Sequence, residues 1–437
     1  QAQGEIEQAI AIQRKAIALK PDDAGLHGNL LYALNFSPDQ DAKSVFGEHR
    51  AWAARHADPL SKEQPPQVND RSALRRLRVG YVSAHFRAHA VNAFAEPLLA
   101  AHDREAVDLF CYSNVPAAQC DAVTARLCER AGHWREIAAL SDEHAARMIR
   151  QDRIDVLVDL AGHIAGNRLL VFARRPAPVQ VTYLGYQNTT GMQAMDYRLT
   201  DEWSDPFGAT DAFYSERLVR LPRVFFCYQP WPDAPPVAPS PAGQSGVVTF
   251  GSLNSFSKVT TQVLDTWAEL LAKVPDSQLI VLAPRSPSIR DRVERIFAAR
   301  GVGCGRVTLL PRCSQAEYFR LMERIDIALD PFPFNGHTTT CDCLWQGLPV
   351  VSWAGNAYAS RFGSSALNVL GLSDLISSSR AEYIEVAARW AGDRTRLGIV
   401  RRELRRLVGE SPLQGAVEFA RSVEAAYRQM WQRWCAD

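Results

Sequence analysis

The stretch Arg324-Ile-Asp-Ile-Ala-Leu-Asp-Pro-Phe-Pro-Phe-Asn-Gly-His-Thr-Thr-Thr-Cys-Asp-Cys-Leu-Trp-Gln-Gly-Leu-Pro-Val-Val-Ser-Trp353 decides how the chain is read. Apolar Ile325, Ile327 and Leu329 alternate with shorter or polar residues and stop at Asp330, Pro331 and Pro333, the pattern of a strand running into a loop. Asn335 and Gly336 make the turn. His337, Thr338, Thr339 and Thr340 then open a short helix carrying Asp342, Leu344 and Trp345, and Gly347-Leu-Pro349 closes it before a strand over residues 350–353. A strand, a tight turn and a helix N-terminus direct backbone N–H groups and the positive end of the helix dipole into the turn. Threonine hydroxyls and an imidazole add donors, so the turn suits a diphosphate. Asp342 lies one helical turn past Thr338, where a carboxylate can accept hydrogen bonds from a ribose. The competing explanation is an ordinary threonine cap beside a packed histidine, and the rest of the chain must decide between them.

Upstream of this stretch, strands are expected over residues 247–252, 279–283 and 307–310, alternating with helices over 260–273, 288–300 and 315–324. A similar alternation starts earlier, with strands over 77–83, 107–113, 154–160 and 179–183 and helices over 90–102, 122–133 and 141–152. The fold class is therefore α/β, with two doubly wound, Rossmann-like, mostly parallel sheets. Residues 229–246 are rich in proline and read as a linker too irregular for either element. From residue 380 onward helical spacing dominates, with Leu404 and Leu407, then Phe419, Val423, Ala426 and Tyr427, as if packing back on the two halves. At the other end, Gly4, Ala9, Ala16 and Pro21 fall at the offsets of the second half of a tetratricopeptide repeat, and residues 26–34 read as the first helix of the next. Residues 42–56 continue helical and 61–78 form a polar, basic connection. One and a half repeats cannot bury a solenoid core, and the chain starts at Gln1 inside a helical pattern, so this segment reads as the end of a longer array.

Composition bounds the function. In 437 residues, 47% hydrophobic and 22% charged content is ordinary for a globular protein, and a formal net charge of +1 offers no general attraction to nucleic acid or to an anionic membrane. No apolar run approaches the roughly 20 residues of a membrane span. Nine cysteines without a CxxC pair favour neither a disulfide framework nor a zinc site, and a reducing cytoplasm is expected. Cys341 and Cys343 point to different faces of a helix and read as small buried hydrophobes.

In open α/β sheets, ligands bind beyond the carboxyl ends of the strands. Four loops occupy that position: residues 83–92 with His85 and His89; residues 184–191, starting Leu184-Gly185-Tyr186; residues 252–258 with Asn254, Ser255 and Lys258; and the opening stretch. Together they describe a cleft between two Rossmann-like halves. A lysine beside a helix start is electrostatically unfavourable unless an anion lies between them. His133 and His163 have no spacing argument behind them and read as structural. No metal-ligand pattern is convincing, because the only Asp-x-Asp, Asp39-Gln-Asp41, is remote from any strand end. The charge of a diphosphate would therefore be met by Lys258, the helix N-terminus and the Thr338 and Thr339 hydroxyls.

Taken in order, Gly80-Tyr-Val-Ser83 with His89, Arg175-Pro-Ala-Pro-Val-Gln180 with Leu184-Gly-Tyr186, Asn254 with Lys258, and Asn335-Gly-His-Thr-Thr339 with Asp342 and Leu344-Trp-Gln-Gly-Leu-Pro349 closely resemble the O-linked N-acetylglucosaminyltransferases, bacterial members in particular. The resemblance covers nearly the whole chain. It implies a GT-B arrangement: a repeat end and helical connection over 1–70, a first catalytic half over 71–235, a linker over 236–246, a UDP-binding half over 247–395 and C-terminal helices over 396–437. It further implies an inverting, metal-independent transfer of N-acetylglucosamine from UDP-GlcNAc to Ser or Thr of a polypeptide presented along the repeat groove. No cofactor, nucleic acid or membrane takes part. Lys258 would hold the diphosphate and stabilise the UDP leaving group, with Asn254 and Ser255 in the same loop. Gly336, His337, Thr338 and Thr339 would contact phosphates and base-side groups, Asp342 the ribose and Cys313 the uracil side. Leu184, Gly185 and Tyr186 would line the sugar pocket, and His89 would act as general base or organise the acceptor hydroxyl. The chain departs from the animal members at His85, Ser255, Ser257 and Tyr318, positions that bear on sugar and acceptor choice more than on phosphate binding. A nucleotide-sugar-binding adaptor without turnover and a transferase acting on a non-protein acceptor are the alternatives.

Overall fold

The computed structural model describes residues 4–61 and 65–437; residues 1–3 and 62–64, within the expected repeat end and connection, lie outside the described residues. The chain forms two compact units. One comprises Ile12–Leu34, Gln40–Gln229 and Gly415–Asp437, and the other comprises the residues up to Ala11, Asn35–Asp39 and Pro230–Gln414.

Three helices come first: α1 (Ile6–Leu19), α2 (Ala24–Leu34) and α3 (Ala42–His56). Asp41 caps α3 by accepting from the Ser44 N–H at 2.7 Å, and Trp52 of α3 donates from Nε1 to the Ala24 carbonyl at 3.0 Å, which packs α3 on α2. Alternation then follows as β1 (Leu77–Ser83), α4 (Asn92–Ala101), β2 (Val107–Ser113), α5 (Ala122–Arg130), β3 (His133–Glu136), α6 (Asp142–Gln151), β4 (Val156–Asp159), α7 (Leu169–Phe172), β5 (Val179–Thr182), β6 (Tyr197–Thr200) and β7 (Arg217–Arg220). The seven strands form a parallel sheet in the order β3-β2-β1-β4-β5-β6-β7, with Leu77 opposite Val107 and Val79 opposite Val156. Strand order reverses on either side of β1, so the loops after β1 and β4 flank a topological switch point.

The second unit is built from α8 (Pro241–Ser245), β8 (Val248–Ser252), α9 (Thr261–Lys273), β9 (Ser277–Leu282), α10 (Pro287–Ala298), β10 (Val307–Leu310), α11 (Gln315–Glu323), β11 (Ile327–Leu329), α12 (Thr338–Trp345), β12 (Val350–Trp353), α13 (Phe362–Val369), β13 (Ile376–Ser377), α14 (Arg380–Gly392) and α15 (Arg394–Gly409). Its sheet runs β10-β9-β8-β11-β12-β13, again parallel, with the switch between β8 and β11. Central β8 is buried at all five positions, which is why Val248, Phe250 and their neighbours read as a continuous apolar run rather than an alternating one. The last helix, α16 (Ala416–Ala436), belongs to the first unit. There Phe419, Val423, Tyr427 and Trp431 are buried, and the Tyr427 hydroxyl lies 3.1 Å from that of Tyr81 on β1.

Four departures from the sequence reading have physical causes. Strand β3 begins at His133, inside the expected 122–133 helix, and its half-exposed His-Trp-Arg-Glu has no apolar run to signal an edge strand. Strands β6 and β7, four residues each, were missed, because Tyr197-Arg-Leu-Thr200 and Arg217-Leu-Val-Arg220 carry arginines whose partners lie elsewhere in the fold. The segment over 229–246, expected to hold no element, contains α8, started by Pro241 and closed by Gly246 at φ +75°. Buried Arg401 of α15 pins that segment, donating to the carbonyls of Ala238 and Ile325 at 2.6 Å each.

Candidate functional site

In the second unit the two loops at the switch point converge. Strand β11 ends at Leu329, and the chain turns through Asp330-Pro-Phe-Pro-Phe-Asn-Gly336 into α12. His337 occupies the N-cap position and provides no side-chain cap, so the first turn of α12 is built without the usual Ser or Asp acceptor. The turn is held from behind instead. Asp330 accepts from the Gly336 N–H at 2.6 Å and from the Ser352 hydroxyl at 2.9 Å, and Asn335 Nδ2 donates to the Pro331 carbonyl at 3.0 Å. A Cβ at Gly336 would lie 2.6 Å from Thr340 Oγ1 and 2.9 Å from Asn254 Oδ1, so glycine is required by close approach.

Lys258 enters from the loop after β8, at the end of the short turn Phe256–Lys258. Its ammonium donates to the Asn335 carbonyl at 2.6 Å and to Asn254 Oδ1 at 3.4 Å, and stands 4.7 Å above the Phe334 ring. Burial lowers the Lys258 pKa, while the charge of Asp330 opposes that shift. A cation desolvated beside a helix N-terminus is the electrostatic arrangement a polyanion relieves. Thr340 Oγ1 and Ser252 Oγ, both buried here, have no hydrogen-bond partner among the described residues.

The structure thus joins Asn254, Lys258 and Gly336 directly, with His337 next to them, stacked on Phe362 at 3.9 Å. Thr338 and Thr339, half-buried, form the first turn of α12. Asp342, 5% exposed, follows in the next turn and accepts from the Tyr318 hydroxyl at 3.1 Å, which orients the carboxylate. Ser255 is exposed, with its hydroxyl 2.9 Å from Ser257 Oγ, and half-buried Cys313 lies between β10 and α11. Among the described residues no hydrogen bond ties either of them to the turn.

In the first unit, His85 and His89 stack at 4.0 Å in the loop after β1. Asn92 secures that loop by donating to the His85 carbonyl at 2.6 Å, and Asp121 accepts from the Ala88 N–H at 2.7 Å. His89 keeps an exposed edge, yet partial burial and then the Arg87 charge hold its pKa below the ordinary range. Its Nδ1 accepts from the Val91 N–H at 3.3 Å, so the neutral ring carries its proton on Nε2.

Leu184, Gly185 and Tyr186 follow β5 and are buried. Leu184 adopts φ +65°, and a Cβ on Gly185 would lie 1.9 Å from the Leu160 carbonyl oxygen. The Tyr186 hydroxyl donates to His49 Nε2 at 2.7 Å, and His49 in turn donates from Nδ1 to the Val45 carbonyl at 2.7 Å. Buried Arg198 donates to the carbonyls of Tyr186 and Asn188, at 2.9 and 2.7 Å, and Glu216 accepts from Thr189 Oγ1 and the Thr190 N–H, both at 2.6 Å. His49, Arg198, Glu216 and Asp330 support these loops and were missed as site residues. Only Asp330, at a strand end, carried a signal that could have flagged it. His163 is buried, 2.8 Å from the Thr190 carbonyl, and His133 stacks on Phe110 at 4.1 Å. Among the described residues no group of three His, Cys, Asp or Glu side chains could hold a metal ion, all nine cysteines are free, and no helix is long and apolar enough to cross a membrane.

The sequence profile of glycosyl transferase family 41 matches residues 24–231 and 243–423. The chain belongs to glycosyl transferase family 41. Its similarity to named relatives is spread over the whole length. It is 39% identical over 426 residues, 96% of the chain, to the tomato (Solanum lycopersicum) protein described as a probable UDP-N-acetylglucosamine–peptide N-acetylglucosaminyltransferase SPINDLY. It is 31% identical over 379 residues, 84% of the chain, to the Arabidopsis thaliana protein of the same description named SEC. The chain spans 45% of the first relative's length and 38% of the second's. A mutant O-GlcNAc transferase from Thermobaculum terrenum superimposes with a TM-score of 0.94 at 39% identity, covering 100% of this chain and 82% of that one. The resemblance read from the motifs and the two parallel α/β units agree with this family 41 membership.

Proposed function

We propose that the protein is an inverting, metal-independent glycosyltransferase that moves N-acetylglucosamine from UDP-GlcNAc to Ser or Thr hydroxyls of polypeptides. The observation that carries this reading is the meeting of Lys258 with the Asn335–Gly336 turn at the start of α12. A diphosphate there gains a buried ammonium, the helix dipole and threonine hydroxyls, and a leaving UDP needs the same groups more strongly as its charge grows. Asp342, oriented by Tyr318, receives the ribose. The names of the family 41 relatives support the donor and the peptide acceptor.

In the transfer, the acceptor oxygen forms a bond to the anomeric carbon on the face opposite the phosphate as the bond to UDP breaks. The hydroxyl proton leaves late, to a base or to a donor phosphate oxygen. With its proton on Nε2, His89 is suited to donate a hydrogen bond that organises the acceptor, and a tautomer change is needed before that nitrogen can serve as base. Leu184, Gly185 and Tyr186 define the sugar side through a rigid main chain, since the Leu184 and Tyr186 side chains are enclosed. Helices α1 to α3 are read as a tetratricopeptide-repeat end and helical connection whose groove presents the polypeptide, and the cytoplasm is the proposed compartment.

UDP release from UDP-GlcNAc in the presence of Ser/Thr peptides and EDTA tests the proposal. Peptide-dependent release, with the added sugar mass on the peptide, is the expected result. Donor binding without release is the behaviour of a non-catalytic adaptor, and sugar found on a glycan but never on protein overturns the polypeptide acceptor.

A further inference from the structure

One buried carboxylate behind the anion site has no part in the chemistry above. Asp330 is 1% exposed at the end of β11, between the β8 loop that supplies Lys258 and the turn that leads into α12. One oxygen takes the Gly336 N–H at 2.6 Å and the other takes the Ser352 hydroxyl at 2.9 Å, so both are committed to neutral donors. Its main-chain carbonyl accepts from the Tyr383 hydroxyl of α14 at 3.0 Å, which fixes the backbone from the opposite side. A Cβ on Gly363 would meet the carboxylate at 3.1 Å, so the pocket is closed on that side too. A buried acid held by neutral donors alone is costly, and in such surroundings it stabilises a nearby cation.

We propose that Asp330 is the positioning residue of this site: its carboxylate holds the Gly336 end of the turn and supplies the counter-charge that keeps Lys258 ionised before the donor arrives. The proposal rests on the reading of Lys258 as the diphosphate ligand. Burial lowers the Lys258 pKa, opposed by the charge of Asp330, and burial raises that of Asp330 to about 7 against the Gly336 N–H, Lys258 and Ser352, so the counter-charge is in place toward the alkaline end. The other titratable groups facing Asp330 are Tyr383 and the Cys341 and Cys343 thiols of α12, all pushed up by burial and so neutral at ordinary pH. His337, stacked on Phe362, is common to every variant below. Asparagine at 330 keeps the shape and an acceptor for Gly336 but removes the charge, so the two roles separate by pH.

The test is calorimetric titration of UDP-GlcNAc into wild type, D330N, K258A and K258R between about pH 6 and pH 8.5, where the donor diphosphate keeps its charge. D330N is expected to bind close to wild type at the acid end and to fall about tenfold behind at the alkaline end, a displacement of about one pKa unit in Lys258. K258A weakens binding at every pH. Should D330N fail to fold, D330S, which keeps a hydroxyl acceptor for the Gly336 N–H in a smaller side chain, carries the same comparison with wild type, and K258R, whose guanidinium stays ionised without a counter-charge, serves as the reference that holds its affinity as pH rises. D330N, or D330S in its place, tracking wild type across the range overturns the role of Asp330. K258A binding as tightly as wild type overturns the anion site itself.

Discussion

Lys258 is a point charge at a desolvated position, and its removal leaves the Asn335 carbonyl and Asn254 without their donor as well as the diphosphate without its cation. K258A is therefore expected to weaken UDP binding by roughly 2–3 kcal/mol, about 30- to 150-fold, measured by calorimetry. His89 sits in the other unit and gives a different signature. H89A should lower turnover by about 10²-fold while UDP affinity stays within about twofold. Because burial and Arg87 hold the wild-type ring below the usual histidine range, its ionisation should appear in the pH–rate profile as an acid limb below about pH 6.5. A limb near neutrality, present in wild type and lost in H89A, contradicts that environment. Lys258, His337 and Asp342 could be picked out from the sequence because they follow strands. The proton position on His89 could not, since it depends on where the Val91 N–H points.

At the scale of elements, the turn into α12 works through how closely two loops approach. G336A forces a methyl group to 2.6 Å from Thr340 Oγ1 and 2.9 Å from Asn254 Oδ1, so either α12 or the β8 loop must move. The expected outcome is a loss of UDP affinity comparable with that of K258A, with the melting temperature lowered by only a few degrees for about 1–2 kcal/mol of overpacking. Unchanged affinity with a folded variant contradicts the arrangement. On the other sheet, the methyl group of G185A meets the Leu160 carbonyl oxygen at 1.9 Å, a clash with main chain that no rotamer relieves, and it should destabilise the fold by about 3 kcal/mol or more in chemical denaturation. Both glycines were visible as turn residues. Which one answers to a ligand loop and which to the neighbouring strand end was not, because the atoms that crowd Gly185 come from residues 160 and 161 and those that crowd Gly336 from residues 254, 330 and 340.

At the scale of the whole molecule, buried histidines set the response to acid. His49, fully enclosed with both nitrogens hydrogen-bonded, is lowered from 6.5 to about 4 by burial, and His163 is also pushed down, by burial and then by His49. Their folded pKa lies below the unfolded value, so the unfolded chain binds protons first. The stability they contribute is complete above about pH 6.5 and is lost as pH falls toward 4, at up to about 1.4 kcal/mol per pH unit for each ring. Thermal melts between about pH 7 and pH 5 should show that decline, and H49Q, which keeps hydrogen-bonding capacity without a titrating ring, should flatten it; an equal slope in H49Q contradicts the assignment. The sequence by itself determined the α/β class, most central strands to within two residues, and the four strand-end loops where a ligand could bind, since these follow from local periodicity and turn chemistry. Only the tertiary structure decided which strands form the sheet edges, that α16 joins the first sheet, and that His49, Arg198, Glu216 and Asp330 hold the loops. Those contacts join residues far apart in the chain, and burial is what turns an ordinary charge or hydroxyl at such a position into a fixed support.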